Sequence, residues 1–104
     1  MIYIIATLTA REGRHDELVA AFDKNLDHVR AKRGCVTYDL AVHHDSGMPG
    51  QPPFDANDLL IVEAWQDWSA FTAHIGDPVY RAWYAGVYPA VAKASMQVLR
   101  QIGR

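Results

Sequence analysis

The chain has few of the features that mark several large classes of protein. Only one of its 104 residues, Cys35, is a cysteine, which excludes an internal disulfide and a metal site built from several cysteines of one chain. No apolar run approaches the ~20 residues that a membrane-spanning helix needs. Ten basic and twelve acidic side chains give a net charge of −2 with no basic stripe, unlike a nucleic-acid-binding protein. We therefore expect a cytoplasmic protein with neither nucleic acid nor a membrane as a partner.

Apolar side chains, by contrast, are abundant. They make up 50% of the sequence, and a length of 104 residues fits a single domain, which we place at residues 1–104. A domain of this size buries only about two-thirds of the surface that its unfolded chain exposes. Its stability is therefore modest unless a partner covers more of that surface.

Changes in hydrophobic period divide the chain into strands and helices. A β-branched and aromatic segment opens the chain, and an amphipathic helix that ends at Gly34 follows it. The Pro- and Gly-rich segment 45–57 is expected to be a loop, either a mobile lid with Phe54 at its tip or a plain surface connection. The predicted strands cover 2–9, 35–44, 58–66 and 94–102, and the predicted helices cover 15–33, a short stretch capped by Asp67, and a stretch from Asp77-Pro78 towards Ala92.

This order, βαββ(αα)β, is typical of a split βαβ arrangement. We predict an α+β domain of the ferredoxin-like kind, with an antiparallel sheet and helices on one of its faces. Alternation in the second strand places Val36, Tyr38, Leu40 and Val42 on one face.

The central strands of this sheet are apolar on both faces. In the first strand Tyr3 and Ile5 point one way and Ile4, Ala6 and Leu8 the other, and the third strand repeats the pattern. The helices can cover only one face, and an antiparallel sheet with a wet face alternates polar residues there. We therefore expect a second copy of the same sheet to cover the other face as a homodimer; a sheet enclosed in a larger assembly is the alternative.

Three segments of the chain carry recognisable motifs. Residues 34–40 read Gly-Cys-Val-Thr-Tyr-Asp-Leu, residues 63–74 follow the pattern E-x-W-x-D-x-x-A-x-x-x-H, and Gly13 precedes Asp16-Glu17-Leu18. In this order they resemble signatures of the antibiotic biosynthesis monooxygenase (ABM) superfamily, over nearly the whole chain. The resemblance implies a dimeric α/β barrel, and an enzyme that oxygenates electron-rich aromatics such as quinols without metal, flavin or haem.

Oxygenation without a cofactor makes definite demands on a site. Triplet O2 reacts slowly with closed-shell molecules, so the substrate must lose a phenolic or enolic proton and become the electron donor. The site must supply a base, an apolar enclosure and a hydrogen-bond donor for the developing oxyanion. We predict a cofactor-independent monooxygenase acting on a quinol or polyphenol, with that small aromatic and O2 as partners and no cofactor or metal.

Three residues are the candidates for catalysis. His74, whose ordinary pKa is ~6.5, is the candidate base, or else a helix-packing histidine that hydrogen-bonds the backbone. Trp65 is expected to stack on a planar substrate, or else to be a core tryptophan. Glu63 is a carboxyl on an otherwise apolar strand face. It is either a second base whose pKa rises on burial or a structural partner of His74, Tyr38 or a backbone donor.

Neighbouring residues are the candidates for substrate binding. Ile61 shares its strand face with Trp65, and Phe71 shares its helix face with His74. The aromatic stripe of the last helix either lines a pocket for a flat ligand or packs in the core. The predicted substrate-binding residues are Thr7, Tyr38, Ile61, Phe71, Tyr80, Trp83 and Tyr84.

Other functions are weighed against this one. Haem degradation is disfavoured, because the resemblance assigns its asparagine, tryptophan and histidine to positions where this chain has Thr7, Trp65 and Tyr84. A metal bound by His43 and His44 is disfavoured because adjacent strand residues point to opposite faces. A non-enzymatic small-molecule-binding protein and a non-oxidative isomerase or lyase acting on a small metabolite remain open.

Overall fold

The computed structural model describes residues 1–104 and contains one four-stranded sheet with three α-helices. This element order confirms the predicted βαββ(αα)β arrangement. No helix combines the length and the apolar character needed to cross a membrane. The strands are β1 (Ile2–Ala10), β2 (Cys35–Ala41), β3 (Asp58–Trp65) and β4 (Val91–Arg100), and the helices are α1 (His15–Arg30), α2 (Trp68–Gly76) and α3 (Pro78–Val87), with a 3₁₀ turn at Tyr88–Ala90.

All neighbouring strands are antiparallel, in the order β2-β3-β1-β4. Residues that pair directly share a face of the sheet. Ile4 pairs with Glu63 and Ala6 with Ile61, so Glu63 points to the same side as the core residues of β1. The predicted ferredoxin-like α+β fold is confirmed by this topology.

The helices lie on that side of the sheet, and the sequence determines where they form. α1 buries Leu18, Phe22 and Val29, which recur at helical spacing. The Asp67 carboxylate accepts the Ala70 N–H at 2.8 Å and begins α2. The Asp77 carboxylate accepts the Val79 N–H at 3.0 Å and begins α3, whose first residue is Pro78. Both predicted helix starts are thus confirmed.

The end of α1 differs from the prediction. The helix ends at Arg30 and not at Arg33, because the Lys32 N–H turns to the Val29 carbonyl at 3.0 Å and tightens the last turn. Gly34 then adopts a φ of +82°, which leads the chain into β2. As a result, Lys32 lies in a turn beside α2 rather than on the helix.

The start of β2 is also less regular than predicted. The pairing register shifts between Cys35 and Thr37, which leaves Val36 47% exposed, and Val42 lies beyond the strand at 57% exposure. The prediction that Val36 and Val42 share one strand face with Tyr38 was therefore wrong, because Val36 lies at the register shift and Val42 lies outside the strand. A bulge inserts one residue into a strand and breaks the two-residue alternation.

The far face of the sheet is apolar at its centre and polar at its margins. Ile5 pairs with Val62 there, and Val62 is 41% exposed. On either side, Ile5 pairs with Gln97 of β4 and Val62 with Asp39 of β2. The predicted apolar face is thus present in β1 and β3, while the outer strands add polar side chains.

The outer strand β4 is poorly covered on both sides. Met96 pairs with Ala6 and Val98 with Ile4, so both point to the helix side, yet each is 50% exposed. The helices of this chain therefore do not extend over β4.

Candidate active site

A cavity of about 800 Å³ lies between the sheet and helices α2 and α3. β1 and β3 form its floor, the two helices form its sides, and β4 borders it. Eleven of the 15 lining residues are hydrophobic, and the remaining four are Glu63, His74, Arg81 and Ser95. Because so few polar groups converge in an apolar cavity, each of them has a strong influence on what can bind.

Glu63 is a buried carboxyl on the cavity floor. Its Oε1 accepts the indole N–H of Trp65 at 2.9 Å, and its Oε2 has no hydrogen-bond partner in the protein. Burial raises the pKa of Glu63 to about 7, although the Trp65 hydrogen bond acts in the opposite direction. The carboxyl can therefore gain or lose a proton near neutral pH.

His74 projects from α2 and is held between two aromatic rings. It stacks on Trp65, with ring centroids 4.9 Å apart and planes 18° apart, and the Tyr80 ring lies 4.2 Å away. Its Nδ1 is 2.9 Å from Lys32 Nζ. Burial, followed by the positive charge of Lys32, lowers the pKa of His74 to about 4, against an opposing effect of Asp77. The imidazole is thus neutral at physiological pH.

Tyrosine hydroxyls complete the polar part of the site. Tyr38 and Tyr80 are both largely buried, and burial raises the pKa of both hydroxyls, that of Tyr80 to about 12. Tyr84 lies next to Tyr80 with nearly parallel rings, 10° apart. Burial raises the pKa of Tyr84 as well. All three hydroxyls therefore remain protonated near neutral pH, as hydrogen-bond donors.

The structure brings most of the predicted site residues together around this cavity. Nine of the ten lie on its wall or in the layer directly behind that wall. The residues on the wall are Ile61, Glu63, Phe71, His74, Tyr80 and Tyr84, and those behind it are Tyr38, Trp65 and Trp83.

Trp65 differs from the expectation that it stacks on a substrate. It is fully buried beneath His74, and its N–H is used by Glu63, which was expected to bond to His74, Tyr38 or the backbone. Trp83 likewise packs edge-on against Phe22, with ring centroids 4.9 Å apart. Both tryptophans support the wall of the cavity without forming it.

Thr7 is the one predicted site residue that lies elsewhere. Ala6 and Leu8 line the cavity, so the residue between them points to the opposite face of the sheet. There Thr7 borders a second, more polar cavity together with His43 and Phe54. The prediction that Thr7 binds the same substrate as His74 is corrected by this strand alternation.

The loop that was considered as a lid borders this second cavity. Phe54 stacks on His43, with ring centroids 4.6 Å apart, and His43 Nε2 lies 3.0 Å from Asp58 Oδ2. No loop residue lines the first cavity, so a lid role over it has no support. No group of three or more His, Cys, Asp or Glu side chains is arranged to hold a metal.

The sequence profile described as antibiotic biosynthesis monooxygenase matches residues 1–86. The chain belongs to this family. β4 follows the matched segment and completes the ABM sheet by pairing with β1. Among proteins of curated function, no sequence matches the chain.

Solved structures similar to this ABM protein have the same fold. Rv0793 from Mycobacterium tuberculosis is 24% identical, with 99% of this chain and 96% of that chain covered and a TM-score of 0.80. A putative antibiotic biosynthesis monooxygenase from Deinococcus radiodurans is 18% identical, with coverages of 100% and 95% and a TM-score of 0.80. SnoaB from Streptomyces nogalater, a cofactor-independent oxygenase solved as a mutant, is 14% identical, with coverages of 99% and 94% and a TM-score of 0.77.

Several residues that line the ABM cavity were not among the predicted site residues. Strand alternation in β1 and β4 could have identified the lining residues of those strands. The four-residue spacing from Tyr80 through Tyr84 could have identified Tyr88. No local signal identified Lys32, whose contact with His74 spans 42 residues of sequence. The lining residues outside the predicted set are Ala6, Leu8, Ile75, Arg81, Ala85, Tyr88, Ala94, Ser95 and Met96.

Proposed function

We propose that this ABM protein is a cofactor-independent monooxygenase that oxidises an electron-rich phenol of the quinol or polyphenol type with O2. The observation that carries the proposal is Glu63, a buried carboxyl with one free oxygen and a raised pKa on the wall of an apolar cavity. Groups whose pKa is shifted towards neutrality concentrate at functional sites. Family membership and the likeness to SnoaB support the same class of reaction.

The proposed reaction needs no external reductant. Loss of the phenolic proton gives a phenolate, which passes one electron to O2, and the resulting radical and superoxide combine at a ring carbon as a hydroperoxide. Loss of the proton on that carbon and cleavage of the O–O bond then release water and leave a carbonyl. One oxygen atom enters the quinone product, the other leaves as water, and the substrate supplies every electron that O2 accepts.

The polar residues of the cavity have distinct roles in this proposal. Glu63 Oε2 takes the phenolic proton, because a base works best when its pKa is near the working pH. His74 is neutral and donates a hydrogen bond to the developing oxyanion, in place of the base role suggested by its sequence position. Tyr80 and Tyr84 flank the flat substrate, and the apolar wall packs against its ring.

An oxygen electrode tests the proposed reaction. We expect the protein to accelerate O2 uptake with at least one member of a quinol and polyphenol panel, above the rate of uncatalysed autoxidation. The assay includes a metal chelator, and heat-denatured protein at the same concentration serves as the control. Product mass spectrometry with ¹⁸O2 is expected to find one labelled oxygen atom per quinone.

Two other outcomes would overturn the proposal. Calorimetric binding of the same phenols without added O2 consumption indicates a small-molecule-binding protein. Turnover of a substrate at the same rate under anaerobic conditions indicates an isomerase or lyase.

We further propose that the chain functions as a homodimer joined through the far face of the sheet. Ile5 and Val62 form an apolar centre on that face, with Val62 41% exposed. Leu99 of β4 pairs with Tyr3 on the same face and adds exposed apolar surface there. Burying a valine or leucine contributes about 1.5–3 kcal/mol, and a two-fold axis uses each such residue twice.

Val62→Glu is expected to weaken the dimer at least about 100-fold, because it places a carboxylate in the centre of each buried face. Sedimentation velocity over a concentration series measures the change. Val79→Glu is the matched control, since Val79 is also exposed but lies on α3, away from the sheet. A wild-type chain that sediments as a monomer at micromolar concentration would refute the dimer.

A further inference from the structure

Lys32 contacts the candidate site in a way that the proposed reaction does not yet use. Its Nζ is 2.9 Å from His74 Nδ1 and 2.9 Å from Asp77 Oδ2, and it lies 4.9 Å above the centre of the Tyr80 ring. The side chain is 16% exposed. The ammonium group is therefore held at a fixed position by three neighbours.

These contacts determine which nitrogen of His74 carries the proton. An ammonium group has only donors, and the ion pair with Asp77 keeps Lys32 in that form. The Nδ1 of His74 must therefore accept, which requires a lone pair on Nδ1 and places the single ring proton on Nε2. Nε2 has no partner within the protein, although His74 lines the cavity.

The ring has little freedom to turn or to become charged. Trp65 stacks on one side, and Tyr80 contacts it at a centroid distance of 4.2 Å. The charged and titratable groups around it are Lys32 from the turn after α1, Asp77 between α2 and α3, His28 at 3.7 Å from Asp77, Tyr38 from β2 and Tyr80 from α3. Glu63 of β3 lines the same cavity as His74. Of the two carboxyl groups, Asp77 is bonded to Lys32 and Glu63 is bonded to the Trp65 indole.

We propose that Lys32 is a positioning residue that holds His74 as a neutral imidazole with its proton on Nε2, so that the site presents a hydrogen-bond donor to a substrate oxygen and not a base. The donor role towards a substrate rests on the proposed function. The tautomer itself is a property of the free protein.

Long-range ¹H–¹⁵N NMR on the substrate-free protein tests the tautomer directly. In the wild type we expect His74 to have a protonated Nε2 and an unprotonated Nδ1 from pH 5 to 8. Lys32→Met removes the donor while keeping an unbranched side chain. It is expected to introduce a population protonated on Nδ1 and to shift the titration midpoint of His74 upward. Lys24→Met, an exposed position on α1, is the matched control and is expected to leave both signals unchanged.

Lys32→Arg is expected to keep Nε2 protonated, because a guanidinium also has only donors. If an active substrate is found, Lys32→Met lowers kcat by roughly tenfold with a smaller change in KM, less than the ~10²–10³-fold cost of deleting an oxyanion donor. A wild-type His74 protonated on Nδ1, or a Lys32→Met spectrum identical to wild type, overturns the inference. Neither result requires turnover, so this failure is distinguishable from failure of the proposed reaction.

Discussion

Glu63→Gln is expected to lower kcat on an electron-rich phenol by roughly 10²–10⁴-fold, the contribution typical of a positioned general base. The glutamine amide cannot take the phenolic proton, but its oxygen can still accept the Trp65 N–H that Glu63 Oε1 accepts now. The local structure is therefore kept while the proton acceptor is lost. Steady-state O2 uptake measures the change.

The pH dependence of this variant distinguishes a base from a structural carboxyl. In the wild type, kcat/KM is expected to rise with pH and to level off above about 7, as the Glu63 carboxyl loses its proton. This rise is expected to disappear in Glu63→Gln. Glu12→Gln, which changes an exposed carboxyl bonded only to Asn57, serves as the control. A Glu63→Gln enzyme with a wild-type kcat and an unchanged pH profile would remove Glu63 from the mechanism.

Gly34→Ala is expected to destabilise the fold by about 2–5 kcal/mol. Gly34 has a φ of +82°, and a Cβ at this position would overlap the Cβ of Ala70 in α2. The left-handed conformation costs about 1–2 kcal/mol for a residue with a Cβ, and overpacking adds about 1–3 kcal/mol. Thermal unfolding at a fixed protein concentration measures the loss, with each kcal/mol lowering Tm by about 4–8 °C.

Two further variants separate the contributions to this loss. Gly13→Ala has a similar φ of +79° with no atom near its Cβ, so it isolates the backbone cost. Gly34→Ala combined with Ala70→Gly removes the overlapping methyl group, and we expect it to recover stability relative to the sum of the single changes. Equal losses for Gly13→Ala and Gly34→Ala would contradict the close approach.

The same close approach matters for the site. It brings the turn after α1 against α2, and the Gly34 carbonyl accepts the Gln66 N–H at 2.8 Å. Lys32 belongs to this turn and His74 to that helix. A small residue at position 34 therefore allows the contact between the ammonium and the imidazole.

The fold was predictable because its determinants are local. Alternation in β1 and β3, the helical spacing of Leu18 and Phe22, and the capping residues Asp67 and Asp77 each act within one element. The end of α1 and the bulge at Val36 were missed. The first depends on the backbone geometry of the last helical turn, where the Lys32 N–H bonds to the Val29 carbonyl, and the second on the pairing of β2 with β3. The residue types of a strand do not reveal a bulge, yet one bulged residue reverses which of the following side chains point inward.

The sequence predicted which residues lie at the candidate site better than it predicted what each of them does. Glu63 and His74 were found from their unusual placement among apolar residues. Their roles depend on partners that sequence spacing does not reveal, namely the indole N–H of Trp65 and the ammonium of Lys32. The error at Thr7, by contrast, was avoidable. The alternation of the first strand already placed Ala6 and Leu8 on one face and Thr7 on the other.

Glu63 and His74, two buried titratable groups of the cavity, respond to acid in opposite directions. The pKa of Glu63 is raised from 4.5 to about 7, so the folded chain holds this proton more tightly than the unfolded chain and gains stability as pH falls through that range. The pKa of His74 is lowered from 6.5 to about 4, so the folded chain resists this proton and loses stability as pH falls through that range. Each effect amounts to roughly 3 kcal/mol, with opposite sign. Over the weakly acidic range, the effects of these two cavity groups on the free energy of unfolding therefore oppose each other.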